Sequence, residues 1–128
     1  MIKELRIGNL VIYYGRQAVV CSINYITKKV GIVQKKGTYK EVFVDDLSSM
    51  YLSEDSLKNN KIGFKTESIV SLLIEYKEFQ FRLVRNKDWA LVVNKKISDE
   101  NFSTSIFRIL TIHELQNIFF MFTKKELI

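Results

Sequence analysis

The chain has 128 residues, 47% of them apolar, 27% charged and 12% aromatic, with five glycines and no proline. That length suits one domain able to bury roughly two-thirds of its unfolded surface without disulfide or metal staples, and the composition excludes a disordered, collagen-like or cysteine-stapled chain. Lys+Arg number 20 against 14 acidic residues, a formal charge of +6, which suits an anionic partner such as nucleic acid but is accounted for first by a lysine-rich surface that keeps a small protein soluble. Lysines outnumber arginines fifteen to five, however, and arginine supplies the planar fork that grips phosphate or guanine bidentately.

Leu5 to Tyr14 alternates and then runs apolar, as a half-buried strand should. Gly15-Arg16 is a turn signal, and Ala18 to Tyr25 is a second β-branched run. Val30 to Gln34 follows, with Lys35-Lys36-Gly37 as a hairpin turn and Tyr39 to Val44 as the returning strand. Strands at this spacing predict a small bent sheet or barrel, closed by Asp45-Asp46-Leu47. Ser53 is an N-cap ahead of acidic Glu54-Asp55, opening a short helix that Asn59-Asn60 and Gly63 stop. Three further strands read as Ile69 to Tyr76, Phe79 to Val84 and Trp89 to Val93. Lys95 to Thr104 is polar and reads as a loop, and Ser105 to Leu110 as a final strand.

The period then changes. Ile112, Leu115, Ile118, Phe119 and Phe122 lie on one helical face. Thr111 and Glu114 form a capping box, and Lys124 and Lys125 sit where a helix C-terminus favours cations. The expected fold is α+β: an N-terminal bent antiparallel sheet or small barrel (1–47), a short helix and second β-meander (48–110), and a C-terminal amphipathic helix (111–127) packed on the sheet, in one domain over 1–128.

The residues offer little for catalysis. His113 is the single histidine and Cys21 the single cysteine, which rules out a multi-histidine or structural zinc site, and no metal or cofactor is expected. Cys21 lies in an apolar run and reads as a buried hydrophobe, with no internal disulfide available. His113 reads as a boundary residue bonded to the backbone. The five glycines are isolated singles, so no phosphate-cradling loop exists. Adjacent Asp45 and Asp46 point to opposite faces of an extended strand and suit a turn better than an acid–base pair. No apolar stretch approaches the roughly 20 residues of a membrane helix, and no signal peptide is visible; a cytoplasmic, non-membrane protein is expected.

The remaining signal is basic residues interleaved with aromatic ones, which can follow a phosphate backbone and stack bases. Lys35, Lys36, Tyr39 and Lys40 surround one predicted hairpin; Arg82, Arg85, Lys87, Lys95 and Lys96 surround another, beside Trp89, which reads as core. Ordinary alternation in a half-solvated sheet, with lysines guarding its edges, accounts for the same pattern. If Phe81 is core, Arg82 points outward.

Three stretches carry a resemblance: Leu5-Arg6-Ile7-Gly8-Asn9; Asp45-Asp46-Leu47 with Leu52-Ser53-Glu54 and Gly63-Phe64; and His113-Glu114-Leu115-Gln116-Asn117 with Phe119-Phe120-Phe122-Thr123 and Glu126-Leu127. Their order resembles a set of small uncharacterised proteins of Bacteroidetes genomes, prophages and phages that share an "LRIGN" opening, a "DDL" middle and an "HELQN" ending. This chain departs from that pattern in lacking the prolines before its "LSE" stretch, in Asn59-Asn60, and in carrying Lys124 where the pattern has glycine. The resemblance implies a mobile-element origin and no chemistry; the motifs themselves read as specifying the fold. The expected function is a non-catalytic accessory protein that binds and inhibits a host nucleic-acid-handling machine. The host partner is a protein or ribonucleoprotein, in the sharpest form a CRISPR effector nuclease or its guide RNA, which makes the chain an anti-CRISPR. The alternatives are a direct RNA- or DNA-binding regulator and an oligomer-forming phage component.

Overall fold

The computed structural model describes residues 4–35, 37–60, 62, 65–68, 71–85 and 88–127. Its described strands form two five-stranded antiparallel sheets, and a C-terminal helix packs on the second. The expected α+β class is therefore what the structure shows.

The first sheet holds β1 (Leu10–Tyr13), β2 (Arg16–Asn24), β3 (Lys29–Gln34), β4 (Tyr39–Phe43) and β5 (Leu47–Ser49), in the order β4-β3-β2-β1-β5. β1 to β4 run as a meander. A 3-10 turn over Val44–Asp46 then carries the chain across, so that β5 pairs with the free side of β1. This wrapping collects Val11, Val20, Val30, Ile32, Val42 and Leu47 into one small core, as a bent sheet or barrel requires. Asp45 and Asp46 are exposed in the crossing turn.

The first strand is shorter than its alternation predicts. Leu5–Asn9 is a turn in which the Asn9 side chain accepts from the Arg6 N–H (2.7 Å) and the Asn9 N–H donates to the Arg6 carbonyl (3.0 Å). Gly8 sits at φ +97°, and a β-carbon there would also come within 3.2 Å of the Glu126 carboxylate. The positive φ is what calls for glycine here, while the Glu126 carboxylate could shift to admit a side chain. The β1–β2 hairpin turns at Tyr14-Gly15, one residue earlier than predicted, with both residues at positive φ, as a two-residue type I′ loop demands. Cys21 is half-buried rather than core, because the β2–β3 register slips between Val20 and Ser22 and the bulge turns it aside.

After β5, Met50–Leu52 leaves the first sheet. α1 (Glu54–Asn59) follows, capped by Ser53 as predicted, with Ser56 rather than a glutamate completing the capping box. Asn60 closes the helix; Gly63 lies outside the described residues. The second sheet is a sequential meander, β10-β9-β8-β7-β6, built from β6 (Lys65–Ser68), β7 (Ser71–Tyr76), β8 (Phe79–Arg85), β9 (Trp89–Lys96) and β10 (Phe102–Arg108). Half of the predicted Lys95–Thr104 loop is strand: β9 runs on to Lys96 and β10 begins at Phe102. Its polar residues pair across the two strands, the Thr104 hydroxyl donating to Asn94 Oδ1 at 2.7 Å. Polar side chains on an uncovered face leave no hydropathy signal.

The helix α2 (Ile112–Thr123) covers the other face. Thr111 caps it by accepting from the Glu114 N–H, while the Glu114 carboxylate reaches back to the Thr111 hydroxyl (2.9 Å) and the Leu110 N–H (3.2 Å). Phe119 lies 4.8 Å from Phe81, and Phe122 lies 5.7 Å from Phe79 and 6.1 Å from Phe107 between ring centres. Each such pair adds about 0.5–1.5 kcal/mol beyond area burial. Trp89 is half-buried at the margin of this core.

Lys124 does not serve as a last-turn cation. It lies past the helix end in the left-handed region at φ 59°, its N–H closing onto the Phe120 carbonyl, the position where glycine is favoured. Replacing it should relieve backbone strain of about 1 kcal/mol. Lys124→Gly is expected to raise unfolding stability by about 1 kcal/mol in urea titrations, with an unchanged slope.

Candidate functional site

The two most specific sequence motifs meet each other. Gln116 is 1% exposed; its Oε1 accepts from the Leu10 N–H at 2.8 Å and its Nε2 donates to the Gly8 carbonyl at 3.0 Å. Beside it, Asn117 Oδ1 accepts from Arg6 Nε (3.2 Å) and from Asn9 Nδ2 (2.7 Å), and Asn117 Nδ2 donates to the Glu4 carbonyl (2.8 Å). Arg6 forks onto both oxygens of Glu126 at 2.5 and 3.0 Å, with its guanidinium 4.1 Å from the centre of the Phe120 ring. The "LRIGN" turn and the "HELQN…EL" helix thus form one polar clasp. Its donors and acceptors serve each other, which is a fold-specifying role.

His113 departs from expectation. It is 1% exposed, and neither ring nitrogen has a hydrogen-bond partner among the described residues. Glu4 Oε2 stands 3.6 Å from Nε2, beyond hydrogen-bond length. The expected bond to the backbone is not made among the described residues, and the ring is fully buried rather than at a boundary. His113 lines a cleft of about 590 Å³ bounded by Glu4, by Ile106–Ile109 and by Glu114 and Ile118 of α2. Among the described residues no group of three His, Cys, Asp or Glu side chains is placed to hold a metal, and His113 makes no pair with Cys21.

The predicted basic and aromatic residues are dispersed. Lys35 is exposed in the β3–β4 turn, while Lys36 and Lys87 lie outside the described residues. Tyr39 and Lys40 occupy opposite faces of β4. The Tyr39 ring lies over Gly31, where a β-carbon would come within 2.9 Å of it, so this ring covers a glycine in the next strand. Lys40 stands opposite Ile32 and reaches back over Tyr13, 5.1 Å from the ring centre. Arg85 and Lys95 share the helix-side register of the second sheet but at its two ends: Arg85 lies over Trp89 (5.4 Å) and Lys95 over Phe79 (5.9 Å). Arg85 also comes within 4.0 Å of Glu54, and Lys96 within 3.7 Å of Asp99.

Arg82 lies on the other face, opposite the buried side of β8 as alternation required, since Phe81 is fully buried. That face is the surface sequence reasoning did not assemble. Strand register places Leu73, Arg82, Val92 and Ile106 in one row, and Ser71, Val84, Ala90 and Arg108 in the next. Lys96 and Phe102 stand opposite each other at one corner. Ile106 is 69% and Phe102 50% exposed. In β7 to β10 this face carries Arg82, Lys96 and Arg108 against the single acid Glu75, around a half-buried apolar strip. The signal was present as period-2 alternation in Phe102–Arg108, but the polar Ser103, Thr104 and Ser105 concealed the start of the strand.

Two substitutions separate clasp from cleft. Gln116→Ala leaves a buried N–H and a carbonyl unpaired and is expected to cost about 2–4 kcal/mol in urea unfolding. His113→Leu removes an unpartnered buried imidazole and is expected to leave stability unchanged or raise it by about 1 kcal/mol in the same titration. Comparison with protein-family models, curated proteins and solved structures finds no match to this chain.

Proposed function

We infer that this chain is a non-catalytic binding protein of a phage or other mobile element that occupies and inhibits a host nucleic-acid-handling machine, with a CRISPR effector nuclease or its guide complex as the specific target class. The observation that supports this reading is the uncovered face of the second sheet. Leu73, Val84, Val92 and Ile106 offer apolar area to a protein partner, while Lys96 and Arg108 supply positive charge at its margin. An interface of this kind draws its affinity from a desolvated apolar centre and its encounter rate from the charged rim. The net charge of +6 favours a partner surface that is acidic or lined by RNA phosphates. The most elaborate polar constellation, the clasp, is internally satisfied, which suits a scaffold presenting a surface more than a reacting centre.

The test is a tagged pull-down from a Bacteroidetes host lysate, split into nuclease-treated and untreated halves, using the wild-type chain and Val92→Glu/Arg108→Glu. An effector nuclease held in both halves by the wild type and lost by the variant is the expected outcome. Partners that vanish on nuclease treatment would replace this reading with direct nucleic-acid binding, whose affinity falls linearly with log salt. Equal capture by the variant would remove the sheet face from the interface.

A further inference from the structure

A strand at the edge of a sheet presents a row of unpaired backbone donors and acceptors, which proteins ordinarily blunt with shortness, charge or cover. Among the described residues the two sheets end in β4, β5, β6 and β10. β5 is three residues long, and β6 is four residues with a lysine and a glutamate. β4 carries Lys40 and Glu41 at its middle. β10 has none of these devices. Its seven residues, Phe102–Arg108, are mostly aromatic, β-branched or small, and the one charge stands at the last position.

We propose that β10 is a self-association edge, pairing antiparallel with β10 of a second copy so that the two second sheets join into one. The register that pairs all seven residues is centred on Ser105. It sets Phe102 of each copy opposite Arg108 of the other, both on the uncovered face, where a guanidinium across a ring is favourable. Thr104 falls opposite Ile106, two β-branched residues that suit a cross-strand pair, and no two like charges are opposed. The twofold axis repeats each pair, giving a closed, self-complementary contact. One strand pair buries little area, so the dimer belongs to the weak class of interfaces. The inference rests on the strand edge and not on the partner proposed above, although Ile106 and Arg108 belong to both surfaces.

Sedimentation equilibrium of the full chain alone, without nucleic acid or partner, tests it. The average mass is expected to rise from 15.1 kDa toward twice that value as concentration increases to the millimolar range. Thr104→Lys/Ile106→Lys sets lysine opposite lysine twice and should hold the chain at its monomer mass. Thr104→Glu/Ile106→Lys sets opposite charges in the same two places and should restore association at least to the wild-type level. A wild type that stays at 15.1 kDa throughout, or a like-charge variant that associates as the wild type does, overturns the proposal. Failure of the opposite-charge variant to associate overturns the register.

Discussion

Two adjacent amides, Gln116 and Asn117, hold this fold in one arrangement. Apolar contact between α2 and the second sheet fixes how far apart they lie, but apolar surfaces accept several rotations and slides at similar free energy. The amides do not. Buried Gln116 must find both a donor and an acceptor, and the Leu10 N–H and Gly8 carbonyl serve it; the partly exposed Asn117 bonds the Glu4 carbonyl and the Arg6 and Asn9 side chains. A shift of the helix by one residue would leave several buried groups unpaired at about 1–3 kcal/mol each. The same helix is stitched a second time at its start, where the Ile112 N–H donates to the Met50 carbonyl and the Leu52 N–H to the Leu110 carbonyl. The first sheet is thereby tied to the helix that covers the second.

The fold class was legible because its largest signals are periodic. The apolar stripe of α2, the β-branched runs of β2 and β3 and the alternation of β8 each follow from one face meeting a core. What escaped had no such stripe. β5, Leu-Ser-Ser, is a strand only because β1 has a free side for it. The turn at Leu5–Asn9 looks like a strand in pattern, and it is held by the Arg6–Asn9 bonds and by Gln116, more than 100 positions away. Lys124 takes a left-handed conformation that its hydropathy does not show, although the resembled ending carries glycine at that position.

The candidate binding residues were legible as types and illegible as a surface. Lysines and arginines near predicted hairpins could be found by eye, but whether they face one way depends on strand register. Arg85 and Lys95 fall on the helix side at opposite ends, stacked on Trp89 and Phe79, whereas Arg82, Lys96 and Arg108 share the open side. Arg108 lies within the strand the sequence shows at Ser105–Leu110, but its place on the open face follows only from its register with Ala90. The motif residues, read as specifying the fold, have the polarity of a ligand site but are bonded to one another, Arg6 and Asn9 both to Asn117.

The clasp also has a kinetic meaning. Both sheets are built largely from neighbouring hairpins, whose contacts close short loops and form early. Arg6 and Glu126 are separated by 120 positions, so their contact requires nearly the whole chain to be in place and gains nothing until it is. Interactions of that kind are expected to form after the folding transition state and so to act on the rate of unfolding. The bonds among Arg6, Asn9, Gln116, Asn117 and Glu126 therefore govern how long the native state persists once formed, while the speed of reaching it is left to the hairpins.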